Sequence, residues 1–360
     1  MAPKALYVHI PFCQSICAYC DFPKVLYRDD WAEEYLSALF AELDSYRIKK
    51  VKTIYVGGGT PSALPLDLLR ALLEKLSPLL EEGGEFSFEA NPESLSEDKI
   101  ALLASHKVNR VSLGVESSLP KFLALMGRKH TFIDARKAVD ALRKHGIANI
   151  NVDWIYALPG ETRDDLKQEE KAFLSLKVPH ISAYTLILED GTLFKIKGKQ
   201  EANEDEQGEQ YEEVLSCLRE AGYRRYEVSN FALPGHECRH NLAYWKDEEY
   251  YGIGLGAAGF LNGARYTNTR SLSLYIKGQG LRESEERSGE EEFLLSNLRL
   301  EEGFELSSFE NRFQKDFISS YQKPLQKMEK EGLLQEKDGR IIPSDRGLEC
   351  LDYVLVSLFS

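Results

Sequence analysis

Ala5-Leu-Tyr-Val-His-Ile10-Pro-Phe-Cys13-Gln-Ser-Ile-Cys17-Ala-Tyr-Cys20 places a short β-branched and aromatic run directly before three closely spaced cysteines. Ala5–Ile10 reads as a strand. A helix follows from about Trp31, where Tyr35, Leu36, Leu39, Phe40 and Leu43 form one apolar stripe with the 3.6-residue period of a core-facing helix. The alternation continues with strand-like Thr53–Val56, Glu85–Ala90, Arg110–Val115, Ile150–Ile155 and His180–Thr185, each separated by a helical pattern. Six strand–helix units predict a parallel sheet, either doubly wound or closing into a barrel. Glu89, Glu116 and Asp153 fall at or near the C-terminal ends of their strands, where both architectures bind ligands.

The 360 residues are 43% hydrophobic and 29% charged, which excludes a disordered, collagenous or coiled-coil chain. Forty-five Lys+Arg against 58 Asp+Glu leave a net charge of −13, so nucleic acid is not an expected partner. An acidic surface suits a monomer or a homodimer equally. No apolar run reaches the roughly 20 residues of a membrane span, and Met1-Ala-Pro-Lys4 leads into a strand rather than a signal peptide. The expectation is a cytoplasmic protein with at most peripheral membrane contact, whose six cysteines are free thiols or ligands rather than disulfides.

Residues 197–210 read as a solvated connection, after which a helix resumes. From about residue 288 the pattern becomes helix, helix, hairpin, helix, with Asp338-Gly339 as the hairpin signal. That order is winged-helix-like, but residues 288–360 hold 9 Lys+Arg against 15 Asp+Glu, a net of −6, which argues for a packing or partner domain over a DNA-binding one. Gly254, Gly256 and Gly259 spell G-x-G-x-x-G, yet they follow the strand–helix series instead of opening it. They read as a tight loop near the site's mouth and not as a dinucleotide fold.

Cys13, Cys17 and Cys20 have the spacing C-x3-C-x2-C. Three thiolates on one loop suit zinc, which would want a fourth ligand or an open water position. They also suit an iron–sulfur cluster, in which three cysteines leave one iron open to a non-protein ligand. This spacing after a first β-strand resembles the signature of the radical S-adenosylmethionine (SAM) superfamily. The resemblance implies a 4Fe–4S cluster on Cys13, Cys17 and Cys20, with SAM chelating the fourth iron through its amino and carboxylate groups. It further implies an electron from the cluster that cleaves the sulfonium into methionine and a 5'-deoxyadenosyl radical.

Other segments fit the same resemblance. Gly57-Gly58-Gly59-Thr60 looks like the superfamily's glycine-rich strip, where backbone groups reach the SAM amino group. Glu89 and Asp153 match positions for the ribose or amino acid portion, Arg128 one for the carboxylate, and Tyr7 and Tyr19 positions lining the cofactor. Glu116 departs from the pattern, where glutamine is usual in Gly-Val-Gln; an ionised carboxylate accepts hydrogen bonds but donates none.

Tyr7–Cys13, Gly57–Ser62, Asn151–Gly160 and Tyr226–Ala232 resemble the branch related to the oxygen-independent coproporphyrinogen III dehydrogenase. That branch also contains haem chaperones. The dehydrogenases carry C-x3-C-x2-C-x-C behind a long N-terminal extension, whereas here Phe22 takes the fourth cysteine's place and twelve residues precede Cys13. His240-Asn-Leu-Ala-Tyr244-Trp245 is similar to the H-N-x-x-Y-W motif of the chaperone group, associated there with haem binding. Histidine is a common axial iron ligand and Tyr and Trp offer flat apolar faces. Read alone, the hexapeptide fits a buried aromatic turn with a hydrogen-bonded histidine better than a haem site, and His236 and Cys238 are rival axial candidates.

The resemblance implies a partial (β/α)6 TIM-like barrel with a small C-terminal helical, winged-helix-like domain. It divides the chain into a radical SAM core at 1–230, a connecting region at 231–287 and a C-terminal domain at 288–360. The implied function is a haem chaperone that holds haem and passes it to haem-dependent respiratory proteins, able to cleave SAM but without dehydrogenase activity. The alternatives are SAM-dependent decarboxylation of coproporphyrinogen III, which would want Arg110, Arg128 and Arg239 gathered in one pocket, and a plain zinc enzyme.

Overall fold

Side chains alternate between the two faces of a strand, and here the two faces differ in chemistry. A computed structural model describes residues 3–282 and 284–359. Six strands, β1 (Ala5–Ile10), β2 (Val51–Gly58), β3 (Leu80–Ala90), β4 (Arg110–Glu116), β5 (Asn149–Tyr156) and β6 (His180–Thr185), pair in parallel in chain order. Their outer residues, such as Leu6, Val8, Ile54, Val56, Phe86, Phe88, Val111 and Leu113, are buried in the main core. They pack there with the apolar stripes of α1 (Asp29–Ser45), α2 (Leu66–Leu76), α3 (Glu97–Ser105), α4 (Phe132–Lys144) and α5 (Arg163–Ser175). The six predicted strand–helix units are therefore present.

The helix of the sixth unit, α6 (Glu204–Glu220), begins inside the stretch expected to be a solvated connection. Asn203 caps it by accepting from the Glu206 N–H at 2.9 Å, and Glu204, Asp205 and Glu206 lie in its first turn, where acidic side chains meet the positive end of the helix. Polarity alone hid this helix start.

The parallel series is extended at both edges. Beyond β6 lie antiparallel β8 (Asn230–Ala232) and β7 (Arg224–Glu227). On the other side β9 (Tyr250–Ile253) pairs in parallel with β1, followed by antiparallel β10 (Ala258–Leu261), β11 (Ala264–Thr267) and β12 (Ser284–Arg287). Among the described residues one sheet holds twelve strands, a partial (β/α)6 barrel with open edges. The region 231–287 thus contributes four strands to this sheet, together with the short helix α7 (Arg239–Trp245).

The C-terminal region has its own aromatic core, in which Phe293, Phe304, Phe309 and Phe317 pack edge to face. Around it lie the helices Glu290–Asn297, Leu306–Phe313, Gln322–Lys330 and Leu351–Phe359 and a sheet of β13 (Phe304–Glu305), β14 (Leu334–Lys337) and β15 (Arg340–Pro343). Asp338 and Gly339 both take positive φ, 52° and 75°, as a two-residue hairpin turn requires. Ion pairs join this region to the sheet: Arg225 to Asp345 at 2.5 Å, Arg299 to Glu227 at 3.6 Å, and Arg312 to the buried Asp247. No described helix is long and apolar enough to cross a membrane.

Candidate functional site

The inner faces of the strands are polar. Tyr55 of β2, Glu89 of β3, Arg110, Ser112 and Glu116 of β4, Asn151 and Asp153 of β5 and Ser182 of β6 line one cavity of about 430 Å³. Cys13, Cys17, Tyr19, Cys20, Gly58, Gly59, Thr60 and Arg128 close its wall. Tyr7 is absent from this lining; its ring lies against Tyr55 with centroids 6.2 Å apart.

The cysteine loop is fixed at many points. Ala18 N–H donates to Met126 O at 2.9 Å, Phe194 N–H to Ala18 O at 2.9 Å, and Lys24 Nζ to Cys20 O at 2.6 Å. The His9 ring spans Tyr7 and the loop: its Nε2 donates to Pro23 O at 2.7 Å, so Nδ1 accepts from the Tyr7 hydroxyl at 3.0 Å. Burial pushes His9 down to about 4, which keeps this ring neutral. Behind the loop stand Gly254 and Gly256, both at positive φ, where a Cβ on Gly256 would meet Pro23 at 2.5 Å. The glycine loop therefore backs His9 and Pro23, which lie on either side of the cysteines in sequence, and Arg270 adds a bond to Asp21 O at 3.0 Å.

The glycine-rich strip is sterically committed. A Cβ on Gly57 would strike the Glu89 carboxylate at 2.8 Å, one on Gly58 the His9 ring at 2.7 Å, and one on Gly59 Pro11 O at 2.6 Å and Cys13 Sγ at 2.9 Å. Gly58 also has φ +121°, a region L side chains avoid. Glu89 accepts from Gly58 N–H at 3.0 Å and from the Tyr55 hydroxyl at 2.8 Å.

Arg128 reaches three groups of this wall: Cys17 Sγ at 3.4 Å from Nη1, Asn91 Oδ1 at 3.0 Å from Nη2, and Gly114 O. Its Nε has no partner, and its Nη2 lies 3.7 Å from Glu116 Oε1. Burial works against its charge, but Tyr19, Glu116 and Cys17 around it hold it firmly protonated. Glu116 sits where the β4–β5 register shifts, in left-handed backbone at φ 65°. Burial pushes Glu89 and Glu116 each up to about 7 and raises Asp153, which accepts from Asn151 at 2.8 Å and Ser112 at 3.3 Å. Burial likewise pushes Cys13 up to about 11 and raises Cys20.

Three thiols on one tethered loop, with a side-chain-free strip beside Cys13 and a buried cation carrying an unpartnered Nε, fit a thiolate-bound iron–sulfur cluster and an amino acid carboxylate. Among the described residues the thiols are not pre-arranged as a metal site. Cys13, Cys17 and Cys20 would hold the cluster, with Gly58, Gly59, Thr60, Glu89, Glu116, Arg128 and Asp153 around SAM.

His240, Tyr244 and Trp245 lie on α7, away from this lining. His240 is 0% exposed, its Nδ1 2.8 Å from Thr53 Oγ1 and its Nε2 2.7 Å from the Tyr244 hydroxyl. Burial, then the nearby Arg110 charge, push it down to about 3. Glu85 holds the start of α7, accepting from the N–H groups of Arg239 at 3.0 Å and His240 at 3.1 Å. Trp245 is covered by the Arg299 guanidinium, 4.5 Å from the ring centroid. The motif thus plugs the N-terminal end of the strands, and only its Asn241 lines the cavity. Of the three arginines considered, Arg110 and Arg128 line it; Arg239 instead reaches Gly83 O at 2.9 Å at the surface.

Tyr55, Asn91, Ser112 and Ser182 escape motif reading, while Asn151 and Asn241 fall inside the resemblance motifs but carry no site role there. The signal for the strand residues is present nonetheless: Arg110, Ser112, Gly114 and Glu116 alternate with Val111, Leu113 and Val115.

Residues 7–171 match the Radical SAM superfamily and 290–349 the HemN C-terminal domain. The chain is 42% identical over 359 residues to "Heme chaperone HemW" of Lactococcus lactis subsp. lactis (strain IL1403), covering 96% of this chain and 95% of that protein. It is 34% identical over 363 residues to the Bacillus subtilis (strain 168) protein of that name, covering 96% of each. The structure of coproporphyrinogen III oxidase (HemN) from Escherichia coli superposes with a TM-score of 0.85 at 21% identity, covering 99% of this chain and 90% of that one, and so shares its fold. With cysteine loop, glycine strip and partial barrel in place and the identity running the length of the chain, it belongs to the radical SAM superfamily and, within it, to the HemW heme chaperone family.

Proposed function

We propose that this protein is a haem chaperone, holding haem and passing it to haem-requiring proteins such as respiratory-chain components, in the cytoplasm. The observation that carries the reading is the 42% identity to a heme chaperone across 96% of the chain. Phe22, 63% exposed at the cavity mouth, supports it by filling the position of the dehydrogenases' fourth cysteine.

Membership of the superfamily implies a 4Fe–4S cluster and SAM. When bound, they supply one-electron reductive cleavage of the sulfonium. The chain's part is to hold and orient: Cys13, Cys17 and Cys20 as cluster ligands, Arg128 at the SAM carboxylate, Glu89 and Asp153 at its amino or ribose groups, Gly58, Gly59 and Thr60 as the backbone wall, and Tyr19 and Glu116 beside Arg128. Tyr7 acts through His9 on the cysteine loop. Organisation into a core at 1–230, a connection at 231–287 and a C-terminal domain at 288–360 is part of the same proposal.

His240, Tyr244 and Trp245 are proposed as the haem contacts. Because both ring nitrogens of this buried His240 are engaged, coordination would require Nε2 to give up the Tyr244 hydroxyl or Nδ1 that of Thr53. The test is haem titration of the anaerobically reconstituted protein beside a coproporphyrinogen III turnover assay. Stoichiometric haem binding without turnover is expected, and SAM-dependent decarboxylation would overturn the reading in favour of a dehydrogenase.

A further inference from the structure

Arg110 is a buried cation, 2% exposed, whose Nε has no hydrogen-bond partner among the described residues. Glu85, Glu89 and Asp153 stand near enough for their charge and that of Arg110 to favour one another, but the structure shows no hydrogen bond from the guanidinium to their carboxylates. It opens β4, in register with Ser87 and Asn149, six residues and roughly 20 Å of strand before Glu116. Its side chain lines the cavity, at the end opposite the cysteine loop.

A buried Nε–H with no acceptor is a donor that a ligand entering the cavity can satisfy. The nearby carboxylates are committed elsewhere. Glu85 holds the α7 N–H groups, Glu89 accepts from Tyr55 and Gly58, and Asp153 accepts from Asn151 and Ser112. Asn241 lines the same cavity, and its side chain makes no hydrogen bond to the described residues. The Arg110 charge is felt at Cys238 and His240 on either side of it, so α7 stands close to the guanidinium.

A planar fork of N–H donors supplemented by a carboxamide matches one ligand chemistry best, the planar carboxylate, which takes two parallel bonds from an arginine. We propose that Arg110, with Asn241, forms a carboxylate-binding site at the floor of the cavity, separate from Arg128 at its mouth. Because Arg128 is the partner proposed for SAM's own carboxylate, the carboxylate taken at Arg110 is that of a second molecule. The site stands whether or not haem is the cargo.

The test uses the reconstituted protein under anaerobic conditions, titrated calorimetrically with SAM and, with SAM saturating, with sodium propionate. In Arg110→Met propionate should bind roughly tenfold more weakly or worse while SAM affinity stays at the wild-type level. Loss of SAM binding, alone or together with propionate, would overturn a separate site at the floor. Unchanged propionate affinity would overturn it too, and a lower melting temperature with binding retained would make Arg110 a structural counter-ion. Should Arg110→Met not fold, Arg110→Lys keeps the charge but not the fork: weaker propionate binding supports the site, and unchanged propionate binding overturns it.

Discussion

Nη1 of Arg128 donates to Cys17 Sγ at 3.4 Å, so one buried guanidinium touches the loop that would carry the cluster and the space where a carboxylate would sit. Replacing it with Met removes the carboxylate's partner but leaves all three thiols. SAM affinity should fall at least roughly tenfold while iron per chain stays at the wild-type level. Isothermal titration with parallel iron analysis checks this; equal SAM affinity would take Arg128 out of the site.

Glu116 lies 3.7 Å from the same guanidinium, and burial puts its carboxyl near 7. Below that pH it is neutral and can donate, much as the glutamine usual in the superfamily would. Above it, the carboxylate competes with SAM for Arg128. Wild-type SAM affinity should therefore decline as pH rises through about 7, and Glu116→Gln should flatten the profile. A parallel decline in both proteins would assign the titration to another group.

Glu89 offers a stability test in the ligand-free protein. Its folded value, about 7, lies above the ordinary 4.5, so the fold favours the protonated form. Its contribution to stability is full below 4.5, is lost as pH rises from there through about 7, and is flat beyond. Glu89→Gln should gain about 1–2 kcal/mol over wild type at pH 8, the full linkage being discounted for solvent in the cavity, and nothing at pH 4.5. Urea unfolding at the two pH values reads the difference, and an equal gain at both would refute the assignment.

Gly58→Ala should damage the cysteine loop from a distance. The new Cβ would meet the His9 ring at 2.7 Å, and that ring holds Pro23 O at 2.7 Å. Positive φ adds about 1 kcal/mol or more of backbone strain. Lower thermal stability and less iron per chain after reconstitution are expected, whereas Gly127→Ala, with φ +77° but open space around its Cβ, should lose stability alone.

Haem experiments on His240 need a matched control. Truncation to Ala strands the Thr53 and Tyr244 hydroxyls in a buried place, costing roughly 2–4 kcal/mol. His240→Gln can keep one or both bonds while removing the imidazole. If His240 ligates haem iron, both variants should lose the haem Soret shift; retention of that shift in His240→Gln would move the axial ligand elsewhere. Because the folded ring stays neutral to about 3, wild type should also lose stability as pH falls from 6.5 towards that value, by up to about 1.4 kcal/mol per pH unit, and His240→Gln should not.

The six strand–helix units are legible because their outer halves are apolar and must be buried, as Leu6, Val56, Phe88 and Val152 are. The strands at the edges are not. Arg224–Glu227, Ala258–Leu261 and Ala264–Thr267 are four residues each, too short for a period, and only pairing with distant strands makes them a sheet. The cavity follows the same division. Cysteines, glycines and strand-end acids declare themselves by spacing, whereas Asn91 and Asn241 reach the lining from loop and helix, and no local pattern foretells that. The burial of His240 depends on Thr53 and Glu85, 187 and 155 residues away. A hexapeptide motif carries no record of such partners.

Odd and even positions of β4 answer to different masters: Val111, Leu113 and Val115 to the helices, Arg110, Ser112 and Glu116 to whatever enters. Heredity can therefore rewrite one set while the other stands still. A lineage can exchange its ligand by single steps, none of which has to pass through an unfolded ancestor, and two descendants can keep one backbone while agreeing at few positions. The E. coli coproporphyrinogen III oxidase structure shows the same backbone held at 21% identity.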